Sequence, residues 1–453
     1  MPVPSRALVL GLGVTGEAVA RQLARRGHAV ALVDDRPGAA ARALAAGLGS
    51  RLIEAPSADE LEALVDGADV VLPSPGVPAH HPIFAMAAKA GVPVWSEFEL
   101  AARWSDIPLV AITGTNGKTT VTTLVTEMLR RSGRATVAAG NTELPLVDAL
   151  DLGLDVIVVE ASSFRLQFTS SFHPRVGTWL NLAEDHLDWH PTMEDYVAAK
   201  ARIWANAGSG DTAVANADDP VVAGIAARAG GIHQRFSVLG APAEWRLEGA
   251  DLVGPAGPFV EVASLPRRLP HDLANGLAAT ASAVAAGANV GACAEVLTGF
   301  AGLAHRVALV GESGGVRWYD DSKATTPASV IAAVGGFDSV VLIAGGRNKG
   351  LDLSVLAVTA PPVRAVVAIG DAAADVEAAF APSGIEVTRA ATMDEAVAAA
   401  ARLARPGDAV LLSPGCASFD WYHDYTQRGD DFARLVLRQP GAEAAPTLPG
   451  GGH

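Results

Sequence analysis

Cysteine is nearly absent from this chain: two in 453 residues, Cys293 and Cys416, far apart in sequence. That excludes a disulfide framework and fits a reducing compartment, with each thiol read as a small buried hydrophobe. Positive charge is also scarce, since 34 Lys and Arg against 49 Asp and Glu leave a formal net charge of −15. Such a chain is poorly suited to the phosphate backbone of nucleic acid, and any anionic ligand must be held by local groups rather than the global field. Long apolar runs are missing as well. Half the residues are apolar, yet charges and glycines break every stretch before the roughly 18 residues a membrane span needs. The apolar content comes largely from alanine, a helix former that suits buried α/β layers. The opening Met1-Pro2-Val3-Pro4-Ser5-Arg6 leads straight into an expected strand and carries no signal-peptide cleavage pattern. The expectation is a soluble cytoplasmic enzyme of two or three domains, with no nucleic-acid partner and no membrane insertion.

Against that background, glycine turns stand out. Ala7–Leu10 reads as a strand, followed by Gly11-Leu12-Gly13-Val14-Thr15-Gly16, an alanine-rich helix, and a second strand ending at Asp34-Asp35-Arg36. This is a βαβ unit with a G-x-G-x-x-G turn in its expected context. The turn suits a diphosphate, whichever nucleotide carries it. A further strand, Asp69–Pro73, ends in Ser74-Pro75-Gly76-Val77-Pro78, where open α/β sheets present loops to ligands; from chemistry alone a plain Ser-Pro-Gly turn is the favoured reading there.

A second glycine turn, Gly114-Thr115-Asn116-Gly117-Lys118-Thr119-Thr120, follows the apolar run Ile107–Ile112 and opens a helical pattern. Backbone N–H groups at a helix N-terminus, with a lysine and a hydroxyl suited to Mg²⁺, make a cradle for the phosphates of ATP. The loop is shortened relative to G-x-x-x-x-G-K-[ST], because Ile112 stands at the first glycine. The apolar strand Val156–Val159 ends in Glu160, where a Mg²⁺ ligand belongs, or where a surface carboxylate would cap the next segment. Glu184-Asp185-His186-Leu187-Asp188 gathers three carboxylates around one histidine, or is a charged loop. Lys200 has the spacing of an ordinary helix-surface lysine. Antiparallel strands are expected between Ser237 and Leu269, then a helix after Asn275, then a third α/β module beyond a hinge at Gly302–Arg306, and a flexible tail over 439–453.

Three α/β modules in series, two with nucleotide-type turns, suggest a ligase: one nucleotide is a handle on the substrate and the other the energy source. An NAD-dependent oxidoreductase is the first rival, and it leaves Lys118, Thr119 and Glu160 without a task. A nucleotide-driven switch or transport ATPase is the second.

Taken together these blocks, with Ala304-His305-Arg306, Asp320-Asp321-Ser322-Lys323-Ala324-Thr325 and Leu412–Asp420, resemble the cytoplasmic muramyl ligases over nearly the whole chain. The Asp-Ser-Lys-Ala-Thr block points to the branch that adds D-glutamate. The resemblance implies a Rossmann-like domain over 1–96 that binds a UDP-sugar and a P-loop ATPase-like domain over 97–304 with a mostly parallel sheet and a small side sheet. A Rossmann-like amino-acid domain over 305–438 completes the chain, which is expected to be a monomer. The implied reaction joins D-glutamate to UDP-N-acetylmuramoyl-L-alanine through an acyl phosphate at the expense of ATP, in peptidoglycan precursor synthesis. Gly114 to Thr120, His271, Asn275, Arg306 and Asp321 would bind ATP. Val14, Thr15, Asp35, Arg36, Ser74, Gly76, Asn141, Ser162 and His186 would take the UDP-substrate. Lys323, Thr325, Lys349, Ser418 and Tyr425 would hold D-glutamate. Thr119 and Glu160 would hold one Mg²⁺, with His186 and Lys200 serving a second. Because an ammonium cannot ligate a cation, Lys200 would act as a carbamate formed with CO₂. Lys118, Glu160, His186 and Lys200 are the implied catalytic residues. Gly140-Asn141-Thr142-Glu143 departs from the family's usual Gly-Asn-Ile-Gly, and Asp272 from an expected Asn.

Overall fold

The structure is a computed structural model that describes residues 5–186 and 189–445. Leu187 and Asp188 of the charged loop lie outside the described residues, as does the tail from 446 onward.

The first sheet contains β1 (Arg6–Leu10), β2 (Ala29–Asp34), β3 (Leu52–Glu54) and β4 (Val70–Pro73), all parallel in the order β3-β2-β1-β4. The apolar runs form its interior: Leu8, Val9, Leu32, Val33, Val70 and Val71 are fully buried. Near-continuous apolar strands are what a parallel sheet with both faces covered requires. β3 is too short, and too flanked by charge, to announce itself in the sequence.

The second sheet has nine strands: β5 (Leu109–Thr113), β6 (Thr136–Gly140), β7 (Val156–Glu160), β8 (Val176–Trp179), β9 (Thr212–Asn216), β10 (Ile232–Ser237), β11 (Trp245–Glu248), β12 (Asp251–Gly254) and β13 (Gly257–Glu261). Their order is β13-β12-β11-β10-β9-β8-β5-β7-β6. Pairing is parallel from β6 to β11 and antiparallel through β12 and β13. The antiparallel strands expected at the side are therefore the edge of this sheet. β5 lies between β7 and β8, with Ile112 opposite both Glu160 and Thr178. That register places Glu160 beside the start of the phosphate-type loop.

The third sheet is β14 (Ala308–Ser313), β15 (Val316–Asp320), β16 (Val340–Gly345), β17 (Val363–Ile369), β18 (Glu386–Ala390), β19 (Ala409–Leu412) and β20 (Glu443–Ala444), ordered β18-β17-β16-β19-β15-β14-β20. β14 pairs antiparallel with β15 and β20, and the other pairs are parallel. The segment expected as a flexible tail over 439–453 thus contains a strand: Glu443 and Ala444 pair with Glu312 and Gly311. Backbone pairing at a sheet edge needs no apolar side chain, so composition could not reveal it.

The chain divides into two compact units, one holding the residues up to Glu261 with Asn275–Leu297, the other Val262–Ala274 with the chain from Thr298. The helix expected after Asn275 in fact runs Pro270–Ala285, with proline at a position where its missing N–H costs nothing. Both cysteines are buried and unpaired, and burial pushes each thiol up to about 12.

Candidate active site

The turn between β1 and the helix Val14–Arg25 is held by the chain itself. The Asp34 carboxylate accepts from the backbone N–H of Leu12 (2.7 Å) and of Arg36 (2.9 Å), so this acidic residue is spent on shaping the turn. The Ser74 hydroxyl donates to the Gly11 carbonyl at 2.6 Å, tying the loop after β4 to the loop after β1. Gly16 is obligatory, because a Cβ there would lie 1.9 Å from the Gly11 carbonyl oxygen. The result is a cleft of about 540 Å³ at the carboxyl ends of adjacent strands. Val14, Thr15, Asp35, Arg36, Ser74, Gly76 and Asn141 line it, seven of the nine residues expected at the UDP-substrate. Ser162 and His186 do not. Asp35 faces the His81 ring, Nε2 to Oδ2 at 3.3 Å.

One residue of that cleft was not anticipated. Arg165, buried on the four-residue helix Ser163–Leu166, donates from Nε to Glu97 Oε1 (2.8 Å), from NH1 to Asn141 Oδ1 (2.7 Å) and from NH2 to Thr15 Oγ1 (3.1 Å). Glu97 is completely enclosed, and burial pushes its carboxyl above the usual range against the pull of Arg165. Only the tertiary structure could reveal this, since the partners lie 68 and 150 residues away.

The second glycine loop lies between β5 and the helix Lys118–Arg131. Gly117 adopts φ +85°, and a Cβ there would lie 2.6 Å from Asn275 Oδ1, so Asn275 packs directly on the loop. Asn181 braces the loop from the end of β8: its Oδ1 accepts from the Asn116 N–H (2.9 Å) and its Nδ2 donates to the Asn116 carbonyl (3.1 Å). Thr119 and Thr120 stand on the first turn of that helix, the end at which the helix dipole favours anions.

The ammonium of Lys118 donates to the carbonyls of Gly114 and Thr115, each at 2.9 Å. Lys200 donates to the same Gly114 carbonyl at 2.8 Å. Its helical spacing suggested a surface lysine, yet it is 1% exposed. Burial, reinforced by the neighbouring Lys118 charge, holds its amine well below the ordinary lysine range. Tyr196, one turn earlier on the same helix, places its ring 4.4 Å from Lys200 Nζ and its hydroxyl 3.3 Å from Thr115 Oγ1. The His186 ring stands edge-on to Phe164, centroids 4.7 Å apart, with Nε2 3.3 Å from Asp185. His186 also takes φ +58°, a backbone conformation uncommon outside glycine and often met at functional sites.

Glu160 is 3% exposed. One carboxylate oxygen accepts from Asn141 Nδ2 at 2.8 Å, and the other has no partner among the described residues. A buried carboxylate oxygen left without a donor is costly unless a cation or water meets it. With the hydroxyl of Thr119 at the start of the neighbouring helix, these residues fit a hard, oxygen-seeking cation.

In the other unit, the candidate amino-acid residues collect at the carboxyl ends of the adjacent strands β16, β19 and β15, where open α/β sheets bind ligands. Lys323 Nζ sits 3.6 Å from the centre of the Tyr425 ring. Thr325 follows on the same loop, Ser418 is buried beyond β19, and Lys349 is exposed beyond β16. Arg347 and Ala417 exchange backbone hydrogen bonds and zip the Lys349 and Ser418 loops together. Arg428, unanticipated and buried, donates to the Ser322 hydroxyl and carbonyl and to the Cys416 carbonyl, joining two of these loops. Asp321 accepts from Ser413 Oγ (2.7 Å) and the Val307 N–H (3.2 Å), and burial raises its carboxyl to about 7. Arg306 lies in the strained stretch where His305 and Val307 take φ +59° and +47°. His271, largely enclosed, is held below the usual histidine range by burial, while the expected asparagine position, Asp272, pairs with Arg267 Nε at 2.9 Å.

Comparison with known proteins places these sites in context. Residues 5–96 match the family model of the Mur ligase MurD-like N-terminal domain, 112–252 the Mur ligase middle domain, and 305–416 the Mur ligase glutamate ligase domain. The UDP-N-acetylmuramoylalanine--D-glutamate ligase of Frankia casuarinae is 43% identical over 96% of this chain and 94% of its own length. That of Shouchella clausii is 40% identical over 96% and 97%. Among solved structures, MurF from Acinetobacter baumannii aligns over 95% of this chain and 90% of its own, with TM-score 0.60 and 19% identity. MurC from Thermotoga maritima aligns over 95% and 99% with TM-score 0.58 and 19% identity; these likenesses concern the fold.

Proposed function

We infer that this chain, which belongs to the Mur ligase family, joins D-glutamate to UDP-N-acetylmuramoyl-L-alanine with conversion of ATP to ADP and phosphate. The observation that carries the reading is its identity of about 40%, over nearly its full length, with ligases bearing that name. The built cleft and phosphate loop support it. On this reading, residues 1–96 serve UDP binding, 97–304 ATP binding and 305–438 amino-acid binding. Among the described residues no helix is long and apolar enough to cross a membrane. The proposed reaction uses soluble substrates in the cytoplasm, with the enzyme acting as a monomer.

The substrate carboxylate attacks the γ-phosphorus of ATP, forming an acyl phosphate and releasing ADP. The amine of D-glutamate then attacks the acyl carbon, and phosphate leaves as the amide forms. The loop Gly114–Thr120 and the Lys118 ammonium receive the β- and γ-phosphates, where negative charge must be neutralised for transfer. His271, Asn275, Arg306 and Asp321 serve the rest of ATP. Thr119 and Glu160 would hold one Mg²⁺, and His186 with Lys200 a second; Mg²⁺ supplies charge neutralisation on the phosphoryl oxygens. Lys200 is fitted for carbamylation because its buried amine is held well below the ordinary lysine range. Only a neutral amine attacks CO₂, and the product is an anionic oxygen donor plus one released proton. Lys323, Thr325, Lys349, Ser418 and Tyr425 receive the two carboxylates of D-glutamate. Val14, Thr15, Asp35, Arg36, Ser74, Gly76 and Asn141 receive the uridine diphosphate and sugar, with Ser162 and His186 toward the peptide end.

Phosphate release measured with UDP-N-acetylmuramoyl-L-alanine and each amino acid in turn tests the assignment. D-glutamate should stimulate release well above L-glutamate and all others. Equal stimulation by another amino acid would overturn it.

A further inference from the structure

Four side chains form one unbroken line of hydrogen bonds from the nucleotide cleft to the carboxylate at the end of β7. Thr15 Oγ1 accepts from Arg165, Arg165 donates to Asn141 Oδ1 at 2.7 Å, and Asn141 Nδ2 donates to Glu160 Oε1 at 2.8 Å. Each orientation is forced. A guanidinium only donates, so it must face the Asn141 oxygen; a carboxylate only accepts, so it must face the Asn141 nitrogen. Turning the amide over would set donor against donor at one end and acceptor against acceptor at the other. Arg165 is itself fixed from behind by Glu97, whose second oxygen accepts from the Leu146 N–H at 3.1 Å. At the far end, the remaining oxygen of Glu160 has no partner among the described residues. Backbone contacts tighten the same junction: the Asn141 N–H donates to the Glu160 carbonyl at 2.9 Å, and a Cβ on Gly140 would lie 2.8 Å from that oxygen.

We propose that Arg165 is a positioning residue that couples occupation of the diphosphate cleft to cation binding at Glu160. Arg165 lines the cleft, so an anionic ligand seated there faces its guanidinium and holds it in the geometry that locks Asn141. A locked Asn141 keeps one Glu160 oxygen engaged and the other aimed for Mg²⁺. Coupling of this kind is reciprocal: Mg²⁺ must tighten the cleft's grip on its ligand by the factor by which the ligand tightens Mg²⁺ binding. The inference rests on the ligase reading for the identity of the cleft's ligand.

Calorimetric titration of the intact enzyme with UDP-N-acetylmuramoyl-L-alanine, with ADP present and with either Mg²⁺ or EDTA, reads the coupling directly. In the wild type, Mg²⁺ should tighten binding on the order of 5- to 50-fold, within the usual span of such couplings. In Arg165→Met the ratio of the two affinities should fall below about twofold, most of that coupling being lost. Arg165→Lys, which keeps the charge without the fork, should retain only part of it. Should Arg165→Met fail to fold because Glu97 is stranded, the Glu97→Gln/Arg165→Met pair removes both buried charges and should give the same collapsed ratio. A merely structural role would weaken both arms equally and leave the ratio at its wild-type value; that result overturns the proposal, as does a wild type indifferent to Mg²⁺. No binding of the UDP-substrate to the wild type in either arm would instead sink the ligase assignment.

Discussion

Lys200 concentrates the residue-scale chemistry, because its amine shares one carbonyl oxygen with Lys118 while buried beside a tyrosine ring. Two cations at that spacing repel, and an enclosed ammonium lacks the water that would stabilise it. Both effects favour the neutral amine that CO₂ requires. Lys200→Ala should therefore lose on the order of 100-fold or more in turnover, the scale on which charge-stabilising groups act. Short-chain carboxylic acids should partly restore it by supplying the missing anionic oxygen. Full activity of the variant at low bicarbonate would refute this. Asp321 gives a second prediction, with a sign fixed by linkage. Its carboxyl is raised to about 7 in the folded protein, against an ordinary value of 3.8. Between about pH 4 and 7 the unfolded chain loses that proton while the folded one keeps it, so this group's contribution erodes as pH rises through the window and levels off above it. Asp321→Asn, which retains an acceptor for the Val307 N–H, should raise the melting temperature at pH 8 and leave it nearly unchanged at pH 4. An equal shift at both pH values would show that the carboxyl does not titrate there.

The two glycine turns make the element-scale case, since each fails on substitution for a separate reason and at a separate ligand. A Cβ on Gly16 meets the Gly11 carbonyl oxygen at 1.9 Å, a backbone clash that no rotamer relieves. Gly16→Ala should lower stability by about 1–3 kcal/mol and weaken UDP-substrate binding, with ADP binding spared. Gly117 carries φ +85° and leaves no space before Asn275, so Gly117→Ala should weaken ADP at least about tenfold, matching a left-handed strain of 1–2 kcal/mol, while the cleft keeps its ligand. Calorimetry with each nucleotide on both variants checks the separation; loss of both ligands in either variant would contradict it. Such turns were legible in the sequence because a βα turn at a phosphate is local: strand, glycines and helix start adjoin one another. Glu160 was legible for the same reason, as a carboxylate ending an apolar run. Lys200's burial was not, because its surroundings come from the loop some 86 residues earlier. Arg165 and Arg428 escaped notice for the same cause, their partners being distant in the chain. Edge elements such as β3, β18 and β20 were missed because short, half-exposed strands carry little apolar pattern.

At the scale of the whole molecule, the ligands and the protein carry the same sign. On the proposed reading, a net charge of −15 would repel UDP-sugars and nucleotides at long range, while Arg36, Arg165, Lys118 and the helix starts would attract them within a few ångströms. Salt separates these two contributions, because the screening length shrinks to about 8 Å at physiological ionic strength. The repulsion acts across distances longer than that and is damped. Contacts inside the cleft are shorter, partly shielded from solvent, and largely survive. Raising NaCl from about 20 to 150 mM, with Mg²⁺ held constant, should therefore speed association of the UDP-substrate or leave it unchanged, in the range where screening takes over. A basic protein that captures nucleic acid behaves in the opposite way, losing affinity steeply as counterions are restored. Stopped-flow association rates across that salt range provide the check. A strong fall with salt would mean that a basic surface steers the substrate inward, and the division of labour between a repelling exterior and locally cationic sites would have to be abandoned.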